Sequence, residues 1–354
     1  MKRALLGLSF ALLSCGPATP TATPPLATAT ASATVTASPT ATPSADATAA
    51  PTASATATPE AASAPKPPEP ISGELPKAAD LKLVIHAVCK DRDCLVPGMY
   101  PSGAAAEGGA PAAIWSHDLP DKASSLTFPR HRGVDLYGVV LSGKVKLVPL
   151  EMASKAGDLA TFQAFRAEGA GVKIAADGGP VRLLLAVASD GEPIAQTAAL
   201  LKDRKTLKKV AWTSRPSAIE VVDFNAAADL AWGGGAMHAR LGFTKGRAAF
   251  GLLLASKDAP VARHLHDASW EILAPLTADG TFKRAGTTGP DAADLTDVPM
   301  ADGEVAAMPK NTLHQWIPAG KKPLFAVQMY VPPGPEQRFK KLAETTTPPQ
   351  PAAK

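Results

Sequence analysis

From Leu81 onward the chain alternates short apolar runs with Gly, Pro and Asp, and this alternation limits the possible folds more than any other feature. The runs are LKLVIHAV, LYGVVLSGKVKLV, VRLLLAVAS, IEVVDF, AAFGLLLAS, WEILAPL and LFAVQMYV. They are short, rich in Val, Ile, Leu and Phe, and bounded by residues that favour turns. The pattern predicts an all-β sandwich or barrel. A short C-terminal helix is predicted at GPEQRFKKLAE, where Phe339 and Leu342 lie three residues apart behind a Pro-Gly-Pro start.

The first fifteen residues, MKRALLGLSFALLSC, have two cations, an apolar stretch and a small residue before a cysteine. This order is typical of a secretory signal. The end of the segment resembles the lipobox of bacterial lipoprotein signal peptides, with Leu12 three positions before Cys15 and Ser14 just before it. The resemblance implies that Cys15 is acylated and becomes the N-terminus. Acyl chains contribute about 0.8 kcal/mol of anchoring per buried methylene, so the lipid would hold the protein on a membrane.

The segment after the cysteine has a composition that cannot form a core. Residues 16–70 contain 12 of the 35 prolines and four charged residues, and the rest are almost all Ala, Thr, Pro and Ser. Such sequences favour extended chains. We therefore predict a disordered tether. What remains is long enough for two domains of about 100 to 150 residues each.

Charge and hydropathy exclude two broad classes of protein. The formal net charge is +4, and no segment combines clustered Lys and Arg with aromatic residues, so nucleic acid is not an expected partner. No apolar run of about 20 residues follows the N-terminal segment, which argues against a membrane-spanning bundle.

Besides Cys15, the chain has two cysteines, Cys89 and Cys94, in AVCKDRDCLVPG. In an oxidising compartment a disulfide that closes this short loop is the favoured interpretation. A metal-binding or redox pair is the alternative, although the spacing is wider than in the common motifs and His86 is the only histidine nearby.

Three of the seven histidines fall in one arrangement. In APVARHLHDASWEILAP, His264 and His266 are two residues apart, a spacing that places both imidazoles on one face of a β-strand. We expect a turn at residues 267–270 to return Glu271 toward them on the next strand. His314 follows further along, after a segment rich in turn-forming residues. Three imidazoles and a carboxylate can thus converge, and this ligand set suits Fe, Mn, Ni, Cu or Zn.

At these residues the chain resembles the cupin superfamily of double-stranded β-helix (jelly-roll) barrels that hold a metal. The first cupin motif is His-x-His followed after three or four residues by Glu, and His264, His266 and Glu271 match it with four. The resemblance implies that these residues and His314 are the metal ligands.

The second cupin motif is Gly, five residues, then Pro-x-Gly-x-x-His. Gly303, Pro309 and His314 match it, and Asn311 replaces the inner glycine. Asn tolerates a positive φ better than other non-glycine residues, so we expect the turn to be retained. The chain departs from the motifs at Asp258, Pro318 and Gly280.

The first half of the chain contains a weaker copy in FPRHRGVDLYGVVLSGKVKLVPL. Counting back from Gly143 places His131 at the second His position, Pro129 at the first and Leu136 at the Glu position. Val172 stands where the closing His is expected. This copy is therefore predicted to be a barrel without a metal.

Together these features predict an all-β bicupin with five parts. They are a signal peptide (1–15), a disordered tether (16–75), a degenerate barrel (76–205), a metal-binding barrel (206–342) and a disordered tail (343–354). Trp232, Trp270, Trp316, Phe282 and Met329 are candidates for a pocket wall or for core packing.

The expected function is that of a lipid-anchored, extracytoplasmic protein of the cell envelope that binds a divalent transition metal and a small-molecule ligand. One alternative is a cupin metalloenzyme of the dioxygenase, isomerase or decarboxylase type, for which Glu304, His238 and Tyr330 are the nearby candidates for proton transfer. A second alternative is a metal-free envelope scaffold or interaction protein. Fold alone does not choose among them.

Overall fold

The computed structural model of the protein describes a folded part that consists almost entirely of β-strands. The described residues are 67–81, 86–88, 93–95, 109–128, 130, 133–150, 157–169, 171–191, 193–194, 218–290, 294–298 and 305–346. The predicted signal peptide, Cys15, most of the tether, Cys89, His131, Glu304 and the last eight residues lie outside this set. Among the described residues, no helix has the length and apolar character needed to cross a membrane.

Two pairs of facing sheets form the architecture. The strands of the first pair are β1 (His86–Val88), β2 (Asp93–Leu95), β3 (Ala112–Leu119), β4 (Ser125–Phe128), β5 (Val134–Ser142), β6 (Lys144–Pro149), β7 (Gly157–Ala160), β8 (Gln163–Glu168), β9 (Val172–Ala176), β10 (Val181–Ser189) and β11 (Ala218–Asp223). They form a six-stranded sheet in the order β1-β3-β10-β5-β8-β11 and a five-stranded sheet in the order β2-β4-β9-β6-β7. Pairing is antiparallel except between β1 and β3 and between β2 and β4.

The strands of the second pair are β12 (Asp229–Trp232), β13 (Met237–Phe243), β14 (Ala249–Ala255), β15 (Val261–His264), β16 (Trp270–Thr277), β17 (Gly280–Thr288), β18 (Leu295–Val298), β19 (Ala306–Met308), β20 (Thr312–Pro318) and β21 (Leu324–Val331). Their orders are β12-β13-β14-β21-β16-β19 and β15-β20-β17-β18. The central order is the same in both pairs, since β3-β10-β5-β8 corresponds to β14-β21-β16-β19. The predicted all-β fold with two jelly-roll barrels is confirmed.

A helix, α1 (Gln337–Thr346), follows the last strand, as the sequence predicted. A single turn of 3-10 helix at Ala78–Asp80 precedes the first strand.

Each barrel encloses its own apolar core, and a third core lies between the two six-stranded sheets. In β10, Leu183 and Leu185 face the first barrel's interior, whereas Leu184 and Ala186 face the shared core. β14 and β21 divide their residues in the same way between the second barrel and the shared core. Both faces of these strands are buried, which explains why they read as continuous apolar runs rather than alternating ones.

Segments of the chain also cross between the two halves. β11 pairs with β8 in the sheet of the first barrel, although it follows residue 206. The segment near residue 71 contacts the second barrel, where Ile71 N donates to Gly235 O at 2.9 Å and Arg240 Nη2 donates to Gly73 O at 3.0 Å. The domain boundary at 205/206 stays a prediction, and residues 64–354 form one compact unit.

Candidate metal site

Four side chains from three segments of the second barrel meet at one point. His264 is the last residue of β15, Glu271 is the second residue of β16 and His314 is the third residue of β20. β15 and β20 are antiparallel neighbours in which His264 pairs with His314. His266 lies in the loop after β15 and not on the strand, so the expectation that His264 and His266 share a strand face is wrong. The chain bends at 267–268 before it enters β16, and Nε2 of His266 lies close to Glu271.

Glu271 is at the centre of the cluster. Its Oε2 lies 2.7 Å from Nε2 of His266 and 2.9 Å from Nε2 of His314. The corresponding distance to Nε2 of His264 is 3.8 Å. One potential ligand atom from each residue lies within 4.8 Å of the other three, so all four could reach a single ion.

Hydrogen bonds on the far side of two rings orient the imidazoles. Nδ1 of His264 is 2.7 Å from Ala262 O, and Nδ1 of His314 is 2.8 Å from Thr312 O. A carbonyl oxygen can only accept, so each Nδ1 carries the proton and donates it. In the neutral rings Nε2 then carries no proton, and its lone pair points into the cluster. Histidines that ligate metals have this arrangement.

The same geometry tests whether a cation fits. Nε2 of His314 and the Glu271 carboxylate are both acceptors when the ring is neutral, and two acceptors 2.9 Å apart require a proton or a cation between them. Nε2 of His264 is buried and has no hydrogen-bond partner among the described residues. An orphaned buried nitrogen is unfavourable unless something binds it. Three imidazole nitrogens and one carboxylate therefore fit a divalent transition metal.

The protonation states agree with this fit. Burial raises the pKa of Glu271, but the proximity of the His264, His266 and His314 rings outweighs it and holds this pKa well below its usual value. Burial is the main influence on His266 and lowers the pKa of its ring. The cluster thus contains a carboxylate and a histidine that favours the neutral form, which are the forms that bind metals.

Sequence reasoning missed Gln328, which supports Glu271 from behind. Gln328 is buried in β21, and its Nε2 donates to Oε1 of Glu271. In LFAVQMYV it is the single polar residue with the same parity as Leu324, Ala326 and Tyr330, which face the barrel interior. An isolated polar residue at an inward position was the available signal, since such a group needs a buried partner.

The turn before β20 positions two of the four side chains. Asn311 has φ = +57°, so the prediction of a left-handed residue here is confirmed. Its N–H donates to His266 O at 2.8 Å, and Thr312 N donates to Pro309 O at 3.1 Å. The turn thereby ties the loop that carries His266 to the strand that carries His314.

A cavity of about 490 Å³ adjoins the cluster, with His264 and Glu271 among its lining residues. Of the five residues considered for a pocket wall, Trp232, Phe282 and Trp316 line this cavity. Trp270 and Met329 instead pack in the shared core between the barrels. Their strand positions have the parity that faces away from the barrel interior.

The other histidine candidate lies outside the cavity wall. His238 on β13 is buried, with Nδ1 2.8 Å from Asp229 Oδ2 and Nε2 close to the carbonyl oxygens of Ile71 and Gly235. Its contacts fix the segment near residue 71 to the second barrel. His238 is thus a structural residue and not a proton-transfer group of the cavity.

The first barrel carries apolar residues where the second has its cluster. Leu136 pairs with Ala167 and Val187, as Glu271 pairs with Met308 and Tyr330. Phe128 pairs with Val172, as His264 pairs with His314. His117 is a polar residue in the interior of the first barrel, and its Nδ1 accepts a hydrogen bond from Trp115 Nε1 at 3.4 Å.

No protein-family model and no curated protein sequence matches the chain. Among solved structures it is similar to oxalate decarboxylase from Bacillus subtilis, with 11% identity, a TM-score of 0.47 and coverage of 68% of this chain and 78% of that one. A mutant of that enzyme gives 10% identity, a TM-score of 0.48 and coverage of 68% and 79%. Vicilin from Corylus avellana (hazelnut) has 12% identity and a TM-score of 0.43, with coverage of 63% of this chain and 75% of vicilin. The similarity to these proteins is limited to the fold, at 10–12% sequence identity.

Proposed function

We propose that this chain is a bicupin that binds a divalent transition metal in its second barrel and a small-molecule ligand in the adjoining cavity. His264, His266, Glu271 and His314 would hold the ion. The observation that supports this most strongly is the pair of Nδ1–carbonyl hydrogen bonds, which leave two Nε2 lone pairs aimed at a buried carboxylate. A bound ion would act as a Lewis acid toward an oxygen of the ligand.

Metal analysis tests the proposal. Protein that lacks residues 1–15 should contain close to one equivalent of transition metal by inductively coupled plasma mass spectrometry. His314→Ala should reduce the metal content to near zero, because three ligands hold a metal much less firmly than four. Circular dichroism should show that the barrels remain folded.

Two further variants make the result interpretable. His264→Ala tests a ligand that is less buried and therefore less important for packing. Gln315→Ala, the residue after His314 on β20, is half-buried and outside the cluster, and it should keep its metal. Full metal occupancy in both histidine variants would show that the ligand assignment is wrong.

A metalloenzyme is the second candidate, and Tyr330 is the observation in its favour. Its ring lies 5.1 Å from that of His266, and its hydroxyl is buried. Burial, with a further contribution from Glu271, raises the pKa of Tyr330 well above its usual value, so the phenol keeps its proton and could donate a hydrogen bond. Product formation from a screened set of organic acids by the metal-loaded protein would identify such an enzyme. A metal-free scaffold, in contrast, predicts no bound metal at all.

For location, we propose a cell-envelope protein on the extracytoplasmic side, anchored through lipid on Cys15. The support is the sequence of the first fifteen residues and the Pro-rich segment after them. Cys15→Ser should shift the protein from the membrane fraction to the soluble fraction, measured by fractionation and immunoblotting. A variant that remains in the membrane fraction would contradict lipid anchoring.

A further inference from the structure

The cavity beside the metal cluster is much larger than a metal-binding site requires. Its volume of about 490 Å³ falls in the range of pockets that enclose a drug-sized ligand, roughly 300–1,000 Å³. A molecule of two or three carbon atoms would leave most of it unfilled. The volume therefore indicates a ligand with an extended body.

The walls define the chemistry of that body. Most of the lining side chains are apolar, and they include Trp232, Met237, Leu253, Leu273, Phe282 and Trp316. These residues belong to the buried core of the second barrel and come from both of its sheets. An apolar wall of this kind binds hydrocarbon or aromatic groups, because their transfer from water is favourable.

One cation reaches the same cavity from the C-terminal helix. Arg338 lies in the first turn of α1 and lines the cavity together with Phe339 and Leu342. Two members of the metal cluster, His264 and Glu271, line the same cavity. The guanidinium therefore shares this cavity with the metal cluster.

Arg338 makes no ion pair with any carboxylate of the described residues. Its Cζ lies 5.5 Å from the ring centroid of Phe339, which holds the side chain against an apolar surface. A planar guanidinium in such surroundings binds a carboxylate through two parallel hydrogen bonds. The cavity thus combines apolar walls with one cationic side chain, Arg338, near the cluster.

We propose that the cavity binds an organic acid with an extended apolar body, whose carboxylate lies at Arg338 beside the metal cluster. The hydrocarbon or aromatic portion lies along the tryptophan and aliphatic wall. This inference rests on the proposed function, because it names the ligand class of the same site. A small dicarboxylate such as oxalate does not match this ligand class, because oxalate has no apolar portion that could contact the cavity wall.

Straight-chain acids provide the test. Protein without residues 1–15 is titrated with hexanoate, octanoate and decanoate, and with oxalate and octanamide for comparison, by calorimetry and tryptophan fluorescence. Each added methylene that enters the cavity should raise the affinity about fourfold. Octanamide, which has no charge, should bind about tenfold more weakly than octanoate. Oxalate binding tighter than octanoate, or affinity independent of chain length, would overturn the inference.

Arg338→Gln should weaken octanoate binding about tenfold and leave octanamide binding unchanged. Lys341→Gln removes an exposed charge from the same helix and should leave both affinities unchanged. Equal octanoate affinity in Arg338→Gln and the parent protein would contradict the role of this arginine.

The metal content of each titrated sample is measured separately and reports on the proposed function. If the samples contain no metal but show the chain-length trend and the Arg338 dependence, the metal site is wrong and the ligand class stands. If metal is present but the trend is absent, the metal site stands and the ligand class is wrong.

Discussion

At the level of single residues, the site depends on the groups that hold the four central side chains in place as much as on those four side chains. Glu271 is fixed by Gln328, and two of the histidines are fixed by backbone carbonyls. Such supporting contacts determine which nitrogen of a histidine is free to bind. The four residues therefore form a preset arrangement and do not merely lie close together.

Asn311 offers a direct test of this support. The residue has φ = +57°, where a β-branched side chain costs about 1–2 kcal/mol. Asn311→Val should lower the melting temperature and reduce the metal content, because the hydrogen bond from residue 311 to His266 O would be strained. Asn311→Gly, which restores the cupin motif, should keep both. A valine variant with unchanged melting temperature and metal content would contradict the role of this turn.

At the level of elements, α1 closes part of the second barrel. Phe339 is 4% exposed, and its ring stacks on Trp232 with centroids 5.2 Å apart. It also approaches Tyr330, whose ring lies beside His266. The helix thus connects the cavity wall to the metal cluster through aromatic contacts.

Removal of this contact should destabilise the helix and open the cavity. Phe339→Ala should lower the free energy of unfolding by about 3–5 kcal/mol, measured by urea denaturation. Phe339→Leu should recover most of the stability because it refills the space. Lys340→Ala, an exposed neighbour on the helix, should have little effect. An unchanged free energy of unfolding in Phe339→Ala would mean that the packing of Phe339 against the second barrel does not stabilise α1.

At the level of the whole molecule, the two barrels share one core and a buried ion pair. Asp135 of β5 is fully buried and accepts hydrogen bonds from Arg247, which lies just before β14. Tyr137 O–H donates to Ala248 O at 3.2 Å and accepts from Ala248 N at 2.9 Å. Burial, with a contribution from Asp135, raises the pKa of Tyr137 far above its usual range, so it remains a neutral phenol in the interface. Loss of either barrel would leave these groups unpaired.

The second barrel should therefore not be soluble alone. A fragment of residues 224–346 would expose the apolar outer faces of β14, β16 and β21, which pack in the shared core. We expect it to aggregate or to bind a hydrophobic dye such as ANS strongly, whereas residues 64–354 should stay soluble and bind the dye weakly under the same conditions. A fragment that is monomeric by size-exclusion chromatography and does not bind the dye would contradict this prediction.

The sequence alone was sufficient for the all-β class, the terminal helix and the left-handed turn at Asn311, because strand propensity, helical spacing and turn chemistry are local properties. It also singled out the histidines and Glu271, because their motif spacing is visible along the chain. Only the tertiary structure revealed that His266 leaves the strand, that Gln328 supports Glu271 and that Arg338 enters the cavity. These facts depend on contacts between segments far apart in the chain, where pairing register and packing decide which side chains meet.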